Sequence, residues 1–142
     1  MLYTSIPTPT DTTQHTLHTI SEDRSLSMAR VLLHIEGLAV FASAIALYMD
    51  QGWGWGTFLI LLFAPDLAAL GYLAGPVVGA RVYNLAHFYA LPLALGMIGL
   101  FADTAILIQF AMIWFAHIGI DRALGYGFKY TTGFKDTHLT RL

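Results

Sequence analysis

Four long apolar runs, separated by short turns, fill most of the chain between Val31 and Tyr126, and they decide what it can fold into. They run from Val31 to Met49, from about Thr57 to Leu73, from about Val77 to Leu100, and from Thr104 to Tyr126. As helices rising about 1.5 Å per residue, runs of this length cross a hydrocarbon core of about 30 Å. Only 11% of residues are charged and 56% are hydrophobic, whereas a typical globular domain is about a quarter charged. The expected fold is therefore all-α, a polytopic four-helix membrane bundle whose environment is the lipid bilayer, with no role in binding nucleic acid.

Charge placement sets an expected orientation. Arg24, Arg30, Arg81, Arg122, Lys129, Lys135 and Arg141 fall at one end of the four runs, while Asp50 and Asp103 mark the loops at the other. Because cytoplasmic loops carry the excess of Lys and Arg, both termini are expected in the cytoplasm. The chain then divides into a Thr- and Ser-rich disordered tail over residues 1–27, a bundle over 28–126 and an amphiphilic segment over 127–142. In that last segment Gly127-Phe128-Lys129 recurs as Gly133-Phe134-Lys135, a pattern suited to the membrane surface. His15 and His18, in the tail, read as solvated side chains.

The chain has no cysteine, so disulfides, iron–sulfur clusters and thiolate metal sites are excluded. Any metal must be held by nitrogen and oxygen. Inside the runs the ionisable residues sit at similar depths. Counting helical rise from the basic end places Glu36, Asp66 and Asp121 at roughly 7 to 10 Å and His87 and His117 at roughly 13 to 15 Å. The other half offers only Ser43, Thr104 and Gln109 as notable polar side chains. Polar groups that merely tied helices together would be scattered through the depth, so this clustering predicts a chamber open to the cytoplasm.

His117 and Asp121 are four residues apart and share a helix face. Pro65 interrupts the second span beside Asp66 and frees a carbonyl there. Imidazole plus carboxylate suits a divalent metal such as zinc, iron or manganese, and His87, His117, Asp121 and Asp66 are the candidate ligands. Glu36, Asp66, Asp121 and His117 are the candidates for acid–base work, with an ion pair from Glu36 to Arg81 or Arg122 as the structural alternative. Arg81 and Arg122 near the headgroups, with Tyr83, Asn84 and Trp114, are candidate contacts for a lipophilic small molecule. Gly37, Gly71, Gly75, Gly96 and Gly119 are expected where helices pack closely.

The runs His34-Ile-Glu36-Gly37-Leu, Ala64-Pro65-Asp66-Leu, Gly71-Tyr72-Leu-Ala-Gly75-Pro76, Tyr83-Asn84-Leu-Ala-His87 and His117-Ile-Gly-Ile-Asp121-Arg122, closing with Gly133-Phe134-Lys135-Asp136-Thr137-His138, carry a resemblance. Over residues 30–142 the chain resembles a family of small four-helix integral membrane proteins known only as a domain of unknown function. That resemblance implies no activity. The His-x-x-x-Asp pair is also locally similar, over about ten residues, to one in membrane-bound metal-dependent hydrolases. The leading expectation is a membrane-embedded enzyme acting on a lipophilic substrate, either with a metal or by acid–base isomerisation or cyclisation. Alternatives are a scaffold with internal ion pairs, a haem protein ligated by His87 and His117, and an oligomeric ion or proton transporter.

Overall fold

The computed structural model describes residues 9–132 and 135–139, with side chains from residue 25 onward. Helix α1 spans Pro9–Asp50. It is followed by α2 (Trp55–Leu61), a 3-10 helix (Ala64–Ala74), α3 (Pro76–Ala86), α4 (Ala90–Phe101) and α5 (Ala105–Ala123). Four stretches are long and apolar enough to cross a membrane: Ser25–Asp50, Trp55–Ala74, Pro76–Phe101 and Ala105–Ala123. Their outer surface suits lipid, with Ile60 78%, Leu73 88% and Phe101 85% exposed.

Residues 9–27, read from the sequence as part of a Thr- and Ser-rich tail, are helical and continuous with the first span. Once an apolar span has closed its first turns, each further residue adds a hydrogen bond without a new nucleation step. Residues 1–8, the side chains of His15 and His18, and Gly133-Phe134 of the short repeat lie outside the described residues.

Four prolines lie at helix starts. Pro9, Pro65, Pro76 and Pro92 all lie in the first turn of a helix, where a missing N–H costs little. As a result the two middle spans are discontinuous. The second changes from α to 3-10 geometry around Pro65, and the third breaks over His87–Tyr89 so that Pro92 falls in the first turn of α4. An 11-residue 3-10 helix is long for its kind, since runs beyond three or four residues are uncommon.

Helix α5 packs on α1 and α4, and the 3-10 helix packs on α3. At the α1–α5 crossing the two backbones touch. A Cβ on Gly119 would lie 2.7 Å from the Phe41 nitrogen, and one on Gly37 would lie 2.5 Å from Arg122 Cβ. Gly71 and Gly96 also face neighbours, within 3.2 Å of Val82 Cβ and 3.3 Å of Ala111 Cβ respectively. Gly75 differs: with φ +104° and nothing near its α-hydrogens, it is a turn residue between the 3-10 helix and α3.

At the end of the bundle that holds the loop after α1, Tyr48 is fully buried with its ring centroid 5.2 Å from Trp53 and 5.0 Å from Phe58. Its hydroxyl donates to the Gly54 carbonyl at 2.8 Å and accepts from Gln109 Nε2 at 2.9 Å. At the opposite end the chain after α5 doubles back. Lys129 bridges to Thr137, and Lys129, Thr137 and Leu139 are buried. This segment therefore packs on the protein, where the residue pattern suggested a strip lying on the membrane.

Candidate metal centre

Each break in a middle span frees a carbonyl, and side chains of α5 meet both breaks. In an α-helix the Leu62 carbonyl would accept from Asp66 N–H, and in a 3-10 turn from residue 65. Pro65 has no N–H, and Asp66 N–H bonds to the Phe63 carbonyl at 3.1 Å. The His117 ring is the group that interacts with Leu62 instead. Three residues earlier on α5, Trp114 Nε1 donates to the Ala86 carbonyl at 2.7 Å, at the end of α3. Asp66 and His87 immediately follow these two break points.

The breaks bring four side chains together. One ligand atom from each of Asp66, His87, His117 and Asp121 lies within 4.8 Å of the others. The two Nε2 atoms are 3.0 Å apart. His87 Nε2 lies 3.6 Å from Asp66 Oδ1 and 3.4 Å from Asp121 Oδ2, while His117 Nε2 lies 3.7 Å and 3.8 Å from the same atoms. Both histidines are buried, Asp121 is largely covered, and the Asp66 side chain is 47% exposed.

The tautomers follow from the hydrogen bonds. His87 Nδ1 lies 2.8 Å from the Tyr83 carbonyl, which can only accept, so Nδ1 carries the proton and Nε2 has a bare lone pair. His117 Nε2 is turned to it at hydrogen-bond distance, so in the metal-free site His87 Nε2 accepts and a proton on His117 Nε2 bridges the two rings, with two carboxylates beside them. The site has a net charge of −2 when both aspartates are ionised and both imidazoles neutral.

Further groups hold this arrangement. Tyr83 stacks on His87, with ring centroids 3.7 Å apart and planes 11° apart, and its hydroxyl donates to Asp121 Oδ2 at 3.2 Å. Lys129 Nζ sits 4.3 Å over the Tyr83 ring. Burial holds the Lys129 ammonium below its ordinary pKa, while Asp121 and Asp66 pull it back. Asn84 fixes that residue's backbone from both sides, donating to the Lys129 carbonyl at 2.9 Å and accepting from its N–H at 2.7 Å.

Several residues singled out in the sequence lie elsewhere. Glu36 is at the right depth but exposed on α1, and Arg81 is exposed on α3; neither is in the cluster. Arg122 is buried on the side of α5 that meets Gly37. Trp114 serves the break at Ala86, and Asn84 clasps the C-terminal segment. His138 packs beside Gly127 and Phe128, outside the four-residue cluster. His87 and His117, the pair expected as axial ligands of a haem, have their Nε2 atoms 3.0 Å apart, in direct contact with each other. The contribution of Lys129 was not legible, because only the doubling back of the chain brings it to Tyr83.

An apolar pocket of about 420 Å³ is lined by sequence neighbours of the cluster and by none of its four residues. Its wall includes Leu61, Ala64, Pro65, Ala86, Ile113 and Trp114. Pro65 and Ala86 are the chain neighbours of Asp66 and His87, and Ile113 lies one helical turn before His117.

The protein is all-helical among its described residues, with four helices long and apolar enough to cross a membrane and, where two of them break, a partly buried group of two histidines and two aspartates that could hold a metal ion. The chain belongs to the family described as a domain of unknown function, DUF4260, whose model matches residues 30–142. Neither the curated proteins nor the solved structures include a significant match.

Proposed function

We propose that the protein is a membrane-embedded, metal-dependent enzyme that binds one divalent cation between His87, His117, Asp121 and Asp66 and acts on a lipophilic substrate held in the apolar pocket. The carrying observation is the set of distances. Direct charge-assisted hydrogen bonds between imidazolium and carboxylate span about 2.7 to 2.9 Å, whereas the imidazole–carboxylate separations here are 3.4 to 3.8 Å. Around a zinc-like ion with bonds of about 2.0 to 2.2 Å, the edges of a coordination tetrahedron are roughly 3.3 to 3.6 Å. The four imidazole–carboxylate separations fit ligands spaced around a common ion better than directly paired side chains, while the 3.0 Å between the two Nε2 atoms is an ordinary hydrogen-bond length that would open slightly around an ion. A backbone carbonyl behind the imidazole, as Tyr83 provides for His87, is the usual support of metal-bound histidine.

A divalent ion also cancels the charge of two aspartates in a site taken out of water. His87, His117 and Asp121 are the covered ligands, and half-exposed Asp66, on the 3-10 helix, is the exchangeable one. The metal would activate a water. Asp66, once displaced, would take its proton, and the substrate's polar end would meet the ion while its apolar part lies against Leu61, Ala86 and Trp114. In this reading the cluster opens to the cytoplasm and both termini are cytoplasmic, as the placement of basic residues suggests.

The test is metal analysis of protein purified in detergent without chelators and then reloaded, followed by lipid mass spectrometry of bilayers incubated with wild type and Asp66→Asn. One ion per chain and a lipid product formed by wild type alone are expected. No stoichiometric divalent ion after reloading would overturn the proposal.

A further inference from the structure

A second group of polar atoms lies on the other side of α5. Arg122 is only 8% exposed, and a Cβ on Gly37 would touch its Cβ, so its stem runs along the seam between α1 and α5. The guanidinium carbon is 4.4 Å from the Phe128 ring centroid. An aromatic face attracts the cation but offers no lone pair in the plane of its five donors. Among the described residues Arg122 Nη1 is buried without a hydrogen-bond partner.

Two more polar atoms share this condition. The Tyr89 hydroxyl and His34 Nε2 are likewise buried and unpartnered among the described residues. Tyr89 is an electrostatic neighbour of Arg122. His34 lies one turn before Gly37 on α1, and a Cβ on Gly125, just past α5, would be 3.5 Å from its ring. Glu36, exposed at the rim, is an electrostatic neighbour of both Arg122 and Tyr89 but leaves Nη1 without a hydrogen bond. Buried donors, and a buried cation above all, are rarely left without acceptors, because the desolvation is then uncompensated.

We infer that this end of the α1–α5 seam is an oxyanion site, with Arg122 Nη1 and the Tyr89 hydroxyl as its donors and a phosphate-type group as its ligand. The group is either the head of an anionic phospholipid or free phosphate. Guanidinium groups match phosphate oxygens in geometry and remain charged at any physiological pH. The site uses other atoms than the metal cluster: Asp121, one residue earlier on the same helix, faces Tyr83 and acts on Arg122 and Tyr89 only as an electrostatic neighbour, whereas Arg122 faces Gly37. It does not depend on the metal reading.

The experiment uses the full chain in two arms: inorganic phosphate titrated calorimetrically in an uncharged detergent, and native mass spectrometry from nanodiscs of phosphatidylglycerol mixed with phosphatidylcholine. Saturable binding in the first arm identifies free phosphate, and selective retention of phosphatidylglycerol in the second identifies a lipid head. Tyr89→Phe keeps the ring that stacks on Phe115 and should weaken whichever binding is seen by about tenfold. Arg122→Lys should weaken it further, and Glu36→Gln should strengthen it. Metal content should stay unchanged in Tyr89→Phe. Absence of binding in both arms, or binding of unchanged strength in Tyr89→Phe and Arg122→Lys, overturns the inference.

Discussion

His87 and His117 present their Nε2 atoms to each other at 3.0 Å, and the Nδ1 of His87 is committed to the Tyr83 carbonyl. His87 Nε2 is therefore the acceptor, and the contact between the rings needs a proton on His117 Nε2. A cation bound by both rings would take the place of that proton. Single alanine replacements of His87, His117 or Asp121 should therefore each lower bound metal to background. Asp66→Ala should weaken affinity without abolishing it, since Asp66 is the half-exposed member. Competition with a graded series of chelators, read by elemental analysis, orders the four.

Pro65→Ala should separate helix stability from site geometry. Alanine restores an N–H within reach of the Leu61 or Leu62 carbonyl and removes the ring that interrupts the helix. The second span should become more regular while His117 loses part of its hold on Leu62. Disturbing the groups that orient a ligand typically costs about 10- to 100-fold in metal affinity. The expected result is that loss with an unchanged or raised melting temperature; a fall in melting temperature with metal affinity intact would contradict it.

Trp114→Phe removes the donor to the Ala86 carbonyl while keeping most of the ring. A buried carbonyl left unsatisfied costs about 1 to 3 kcal/mol. The melting temperature in detergent should fall, and Trp114→Phe should be more harmful than Phe115→Leu, which breaks no hydrogen bond.

Gly119→Ala should be costly, because the new Cβ would lie 2.7 Å from the Phe41 nitrogen and 3.0 Å from the Gly37 oxygen, both backbone atoms. Overpacking of this kind costs about 1 to 3 kcal/mol, and the backbone position leaves little relief. Gly56→Ala, with open space around it, is the control and should leave the melting curve in place.

The doubled-back C-terminal segment should loosen in acid. Burial and the nearby Arg122 guanidinium hold the His138 imidazole below its ordinary value of 6.5. Its Nδ1 also accepts the Phe128 N–H at 2.9 Å, which requires that nitrogen to be unprotonated. The unfolded chain thus takes up the proton first, and the contribution of His138 is complete above pH 6.5 and fades as pH falls below it. Protection from hydrogen exchange at Phe128 and His138, measured relative to the intrinsic rate at each pH, should fall between pH 7 and 5 in wild type. His138→Gln should flatten that dependence.

Depth was legible in the sequence, and azimuth was not. Asp66, His87, His117 and Asp121 could be placed at one level because helical rise is uniform, and His117 and Asp121 were paired by their spacing of four. Glu36 belongs to the same level but lies on another side of α1, and no periodicity warned of it. In lipid the outside of a bundle is as apolar as its inside, so hydrophobic patterning does not say which face points inward. Pro65 announced its break. The break at His87 was harder to see, since the proline responsible, Pro92, lies five residues on. Gln109 was legible as one of three notable polar side chains in the other half; its partner Tyr48 is 61 residues away, a pairing that only the packed helices reveal.

That Trp114 donates to the Ala86 carbonyl and His117 interacts with Leu62 has a consequence for biosynthesis. The second and third spans leave the ribosome with irregular backbone at membrane depth and no partner of their own for the Leu62 and Ala86 carbonyls. Those groups must stay hydrated, or the segments must stay close to the aqueous channel of the insertion machinery, until the last span arrives. The final span is thus the one that releases the others into lipid, and a nascent chain ending before Ala105 should remain in contact with the translocation machinery where the full chain has left it.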